Sequence, residues 1–210
     1  MTLSVDTPAE RATDPRRRTR PWRRRALLLV LGAALAAAAL TASFGTYRVT
    51  SGSMSPTLRV GDRMLVDKVS HHLSGIHRGD IVVFRDPGGW VDAERRVLRT
   101  AGSAPRDALL VKRVVAVGGD RVSCCADHRF ELDGRALREG YLPTGQGGGS
   151  LGFDRQVPAG QLFVVGDDRE DSLDSRALTG VPGRGLVPES AVVGTVVSLP
   201  VLSRLLDLHP

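Results

Sequence analysis

The sequence predicts a mostly β domain of antiparallel sheets, preceded by one N-terminal membrane-spanning helix. Three observations carry that expectation. Residues Ala26 to Phe44, ALLLVLGAALAAAALTASF, form a 19-residue run without a charge, long enough to cross an apolar bilayer core of roughly 30 Å as a helix. Behind it come short runs rich in Val, Leu and Phe, each bounded by Gly, Pro, Asp or Ser, as strands joined by turns would be. No long amphipathic helical period follows residue 45.

Residues 1–25 are polar and Pro-containing, and read as a disordered tail. Eight arginines against three acids there account for +5 of the chain's net +6. The rest of the chain is almost neutral, so the basicity is a terminal cluster and not a folded stripe, which argues against a nucleic-acid partner. The arginines precede the apolar run of 26–44, and only Arg48 follows it closely. The positive-inside rule then places the N-terminus in the cytoplasm and residues 45–204 outside, with the lipid bilayer as a partner. A cleavable secretory signal is the competing reading, because TAS has the form of a cleavage site and RRRALLL that of a twin-arginine signal. Both readings export the domain.

The strand-like runs are YRVT, RMLVDKV, DIVVF, LLVKRVVAV, DRVSCC, RFELDG, QLFVVG and AVVGTVVSL. Turns are marked by Gly61-Asp62, Gly79-Asp80 and Gly119-Asp120, and Asp133-Gly134 has the composition of a tight hairpin turn. Two segments read as loose, Pro87 to Ala108 and Pro143 to Gly152, with ERRVLR sufficing for a helical turn or two. Residues 205–210 read as a C-terminal tail.

The first chemical clue is compositional. Of 29 basic residues only Lys68 and Lys112 are lysine. Arginine is effectively always protonated, whereas a buried lysine can lose its proton and act as a general base. Lys112 lies in an apolar, strand-like run; if Lys112 and Arg113 alternate, one faces the interior and the other faces out. Lys68, among polar neighbours, reads as solvated. Serine is the natural partner of a neutral lysine, and SGSMSPTL (Ser51 to Leu58) offers three serines. The histidines His71, His72 and His77 read as a solvated cluster in a polar loop, and neither His128 nor His209 completes a Ser-His-Asp set. No metal or other cofactor is expected. Cys124 and Cys125 are adjacent, which leaves a strained vicinal disulfide and two free thiols both open. The segment GDDREDSLDSR (Gly166 to Arg176) follows the strand-like QLFVV and so begins at a strand end, where sites often lie.

Taken in order after the apolar run, SGSMSPTL, GDIVVFRDP, VKRVVAVGGD and GDDREDSLDSR resemble the sequence blocks of bacterial type I signal peptidases. The blocks span residues 51–176, and four in order are far more specific than any one. The resemblance implies an antiparallel signal-peptidase-like catalytic domain in which Ser53 is the nucleophile and Lys112 its general base. It also implies that the Ser51 hydroxyl joins the Ser53 N–H in the oxyanion hole, that Ser172 orients the lysine, and that Asp174 and Arg176 support the site. A small accessory β region is implied at about residues 119–160. The family's usual Gly-Asp-Asn-Arg reads Gly166-Asp167-Asp168-Arg169 here. Lysine at position 112, where the endoplasmic-reticulum type carries histidine, favours the bacterial type. Gly52 is expected to let the backbone turn closely between the serines.

The activity implied is a membrane-anchored serine endopeptidase that removes signal peptides from exported preproteins after small residues at −1 and −3. Ser53 lies nine residues beyond Phe44, about 30 Å at full extension, so cleavage is expected near the outer membrane surface. Two other readings remain: a specialised exported Ser-Lys processing peptidase of the conjugation type, and an inactive membrane-anchored binding module. Substrate profiling separates the first, since a general enzyme accepts many precursors; retained Ser53, Lys112 and Ser172 argue against the second.

Overall fold

The structure is a computed structural model that describes residues 21–100, 107–125, 129–143, 147–149 and 151–198. The expected C-terminal tail, most of the N-terminal tail, His128 and His209 lie outside the described residues. The chain divides into two units, Met1–Thr41 and Ala42–Pro210.

Helix α1, Pro21–Ser43, belongs to the first unit except for its last two residues. It starts five residues before the expected span, with Pro21 at the first helical position, where a missing N–H costs nothing. Within Trp22–Ser43 an 18-residue stretch has a mean hydropathy of 2.2, and the 22 residues rise about 33 Å at 1.5 Å per residue, enough to cross a bilayer. Its leucines are exposed. Phe44, expected to close the span, instead opens strand β1.

In the second unit, β1 (Phe44–Arg48), β2 (Arg63–Asp67), β3 (Ile81–Arg85), β4 (Leu109–Ala116), β9 (Gln161–Val165), β10 (Val187–Pro188) and β11 (Val192–Ser198) form one sheet in the order β1-β2-β11-β3-β4-β9-β10. A second sheet, β7-β6-β5-β8, is made of β5 (Arg121–Cys124), β6 (Glu131–Leu132), β7 (Arg135–Ala136) and β8 (Phe153–Gln156). Every pairing is antiparallel. The β6–β7 hairpin turns at Asp133-Gly134, where both residues have positive φ. The sequence reading missed β8 and β10, which are short and lack a Val-rich run. Cys124 and Cys125 are joined as a vicinal disulfide.

Alternation along β3 feeds two apolar clusters. Val82 and Phe84 pack with Trp90, Val114 and Val164, while Ile81 and Val83 pack with Met54, Leu58, Met64 and Val66. Both faces of the sheet centre are therefore covered, and both faces of β4 become interior from Lys112 to Ala116. Arg113 corrects the simple in-and-out expectation: it is 8% exposed and Lys112 is 5% exposed.

The segment read as loose after Pro87 contains helix α3, Trp90–Val97, longer than ERRVLR suggested. Its start is set by Asp86, whose carboxylate accepts from the N–H groups of Gly88, Trp90 and Val91 at 2.8–3.1 Å, satisfying donors that a helix start leaves open. Trp90 is buried edge-on against Phe84. The histidine reading also needs correction. Ser70–Ser74 form a short helix, α2, and His71 in it is 7% exposed, not solvated. Burial depresses its pKa, with His72 acting in the same direction.

Candidate active site

The loop after β1 carries SGSMSPTL. Met54 and Leu58 have no exposed surface and anchor it in the core, each burial stabilising by about 1.5–3 kcal/mol. Hydrogen bonds from Ser55 N to the Gly52 carbonyl (2.8 Å) and from Leu58 N to the Met54 carbonyl (2.9 Å) close the turn. With its neighbours fixed, Ser53 is held at 8% exposure. Its carbonyl accepts from Asp168 N at 3.1 Å, which ties this loop to the one after β9. Among the described residues its own N–H makes no hydrogen bond, which leaves a donor open at the site.

Lys112, on β4 opposite Val82 of β3, donates from Nζ to Ser53 Oγ at 2.5 Å. Burial pushes its pKa below the usual lysine range; the carboxylates of Asp174 and Glu94 oppose that, and Arg176 reinforces it. If Nζ loses its proton the bond can reverse, the serine hydroxyl donating to the amine, an arrangement with the chemistry for a nucleophile and a general base. Ser51 is exposed, with its hydroxyl 3.4 Å from Ser53 Oγ.

Asp174 is fully buried. It accepts from Arg176 Nε (2.8 Å) and Nη2 (2.7 Å), from Ser172 Oγ (2.7 Å) and from Gly166 N (3.1 Å). Arg176 also donates to the carbonyls of Gly148 and Arg169. The buried carboxylate is thus neutralised where it stands. The Ser172 hydroxyl donates to Asp174, and no Ser172–Lys112 hydrogen bond exists among the described residues. In this arrangement Ser172 is linked to the lysine through the Asp174 charge.

Several supporting residues escaped the sequence reading. Arg113 makes a two-point contact with Asp167, Nε to Oδ1 at 2.8 Å and Nη2 to Oδ2 at 2.6 Å, and lies 3.8 Å over the Tyr141 ring. Asp167 also accepts from Thr57 of the serine loop at 2.5 Å. One buried ion pair therefore joins β4, the serine loop and the loop after β9. Arg169 pairs in the same two-point way with Glu139. Asp168, where the resemblance leads one to expect asparagine, accepts from Asp171 N at 3.2 Å; either residue type can accept there.

The glycine the site needs is not Gly52. Its φ is not positive, and an added Cβ would meet only Ser55 Oγ, at 3.9 Å. At Gly166 an added Cβ would collide with the Ser53 carbonyl and the Ser172 side chain. Gly166→Ala is expected to lower stability by about 1–3 kcal/mol and to cut activity at least tenfold, by prising the serine loop from the Ser172 loop. Thermal melts and turnover measured side by side check this; wild-type values in both would show that the loops yield freely.

Ser51, Ser53 and Lys112 line a cleft of about 280 Å³ that also reaches Trp90, Glu94 and Leu109–Val111. Strand β4 pairs with β3 from Leu109 to Arg113, but its pairing with β9 begins only at Arg113. The β4 stretch that borders the cleft therefore keeps one edge free of β9. Among the described residues no group of three or more His, Cys, Asp or Glu side chains is placed to hold a metal ion.

Comparison with known proteins adds to this geometry. The probable signal peptidase I of Mycobacterium leprae (strain TN) is 34% identical, over 90% of this chain and 80% of its own length. The signal peptidase I of Mycobacterium tuberculosis (strain ATCC 25618 / H37Rv) is 35% identical, over 90% of this chain and 76% of its own length. A crystal structure of a signal peptidase I from Enterococcus faecalis V583 is a more remote likeness, 23% identical with a TM-score of 0.41, covering 58% of this chain and 97% of that one. The family profile described as signal peptidase, peptidase S26, matches residues 22–200. By that match and those identities the chain belongs to the signal peptidase family of serine peptidases, peptidase S26.

Proposed function

We propose that this enzyme is a membrane-anchored endopeptidase that removes signal peptides from exported preproteins after small residues at −1 and −3, with Ser53 as nucleophile and Lys112 as general base. The observation that carries the reading is the buried 2.5 Å contact between Lys112 Nζ and Ser53 Oγ. A neutral amine takes the serine proton as Oγ attacks the scissile carbonyl, then returns it to the leaving amine. The open Ser53 N–H and the Ser51 hydroxyl would hold the oxyanion, each such donor being worth ~3–4 kcal/mol in the transition state. Asp174, neutralised by Arg176 and fixed by Ser172, sets the field at Lys112 without holding it permanently protonated. The free edge of Leu109–Val111 suits an extended substrate strand added by backbone hydrogen bonds.

The test is cleavage of a secretory precursor with an A-x-A site by the full chain in liposomes. The expected product begins just after the −1 residue, and a bulky replacement at −1 should block its release. An intact precursor under all conditions would overturn the reading. Acceptance of one precursor alone would turn it toward the specialised conjugation-type enzyme.

The anchoring makes its own prediction. In intact cells external protease should digest the catalytic domain and spare the arginine-rich tail, because Trp22–Ser43 is long and apolar enough to span and the arginines stay inside. A secreted form beginning near Phe44 would show the segment to be a cleaved signal.

A further inference from the structure

We propose that Glu94 is a specificity-determining residue whose carboxylate pairs with a basic side chain of the substrate segment seated in the cleft beside Ser53. The inference rests on the peptidase reading above and adds a charge preference to it. Glu94 lies on α3 one turn after Trp90, and it lines the cleft with Val91, Ser53 and Lys112. Its position is fixed by two things already described, the Asp86 carboxylate at the helix start and the burial of Trp90 against Phe84.

The Glu94 side chain is half-buried, and among the described residues it makes no hydrogen bond or ion pair. Arg48 also borders the cleft but forms no ion pair with it among those residues. Lys112 is close enough for the Glu94 charge to act on it, yet in the working enzyme that lysine must be neutral. A peptide laid in the cleft strips water from Glu94. The carboxylate then loses its hydration unless the peptide brings a donor, and a cation compensates best. An acidic side chain at the same place adds repulsion.

The experiment compares precursors that differ by one residue. Lys, Gln or Glu is placed in turn at each position flanking −1 and −3, and kcat/KM is measured for the full-length wild type, Glu94→Gln and Glu94→Lys, each matched to wild type by circular dichroism. The wild type should prefer Lys over Gln about tenfold at one position, and disfavour Glu there. Glu94→Gln should level that ratio and Glu94→Lys should invert it. With the Gln precursor, Glu94→Gln should also move the rise of kcat/KM to lower pH, because a negative charge that favours the Lys112 ammonium has gone. A wild type indifferent to charge at every position, or the same preference kept in Glu94→Gln, overturns the proposal while leaving the peptidase reading in place. Failure to cleave any of the precursors overturns that reading, and the proposal with it.

Discussion

Ser53→Ala is expected to reduce precursor cleavage by about four to six orders of magnitude while the fold stays as it is. The change removes one oxygen from a loop whose anchors are Met54 and Leu58, both without exposed surface. Those contacts and the tie from Asp168 N to the Ser53 carbonyl do not involve the hydroxyl. What is lost is the only hydroxyl within hydrogen-bonding reach of Lys112 Nζ among the described residues. Ser51 cannot substitute, since its hydroxyl reaches Ser53 Oγ and not the amine. Cleavage assays and circular dichroism on the same preparations decide the matter: an unchanged spectrum with turnover near the wild-type rate would remove Ser53 from the nucleophile's role.

The strand-like runs of the sequence were legible because burial on both faces of a sheet favours unbroken Val-rich stretches bounded by turn residues. Lys112 stood out for a different reason, as a lysine in a chain that otherwise uses arginine. The harder features depend on tertiary cover. Arg113 follows Lys112 and should point away from it, which on an open sheet means toward water. Here Tyr141 and Asp167 cover that face, and nothing in VKRVV announces a partner 54 residues away. Gly52 and Gly166 show the same limit. The glycine between two serines looked like the constrained one, yet the constraint falls where the Ser53 carbonyl and Ser172 crowd Gly166. Helix α3 was blurred because its capping carboxylate, Asp86, lies before the stretch taken as loop.

Lys112→Arg is expected to abolish cleavage about as fully as Ser53→Ala, and the double variant should be little worse than either, because a nucleophile and its base act as one unit. A merely cationic role would make the change nearly silent, as Arg113 and the chain's other arginines already supply permanent charge. Arginine is also larger, and would be protonated in a site where, among the described residues, the carboxylates that act on Lys112 are Asp174, already held by Arg176, and, with smaller effect, Glu94 and Asp167. A second variant, Lys112→Met, separates lost chemistry from misfolding. In the wild type, burial lowers the Lys112 pKa on folding. The unfolded chain therefore binds the proton more tightly, and stability from this group rises with pH between the lowered folded value and the ordinary lysine value of about 10.4. Below that window the folded protein carries the full cost of a buried ammonium. Lys112→Met should accordingly melt higher than the wild type at neutral pH, with the difference shrinking as pH climbs toward the ordinary lysine range, and it should be inactive throughout. In the wild type, kcat/KM should rise with pH through the lowered lysine pKa as the free base forms. Substantial cleavage by Lys112→Arg with the same pH profile would remove Lys112 from the base's role. A lower melting temperature for Lys112→Met across the whole pH range would instead show that Lys112 is held in the fold as a partner and not as a buried, reluctant cation.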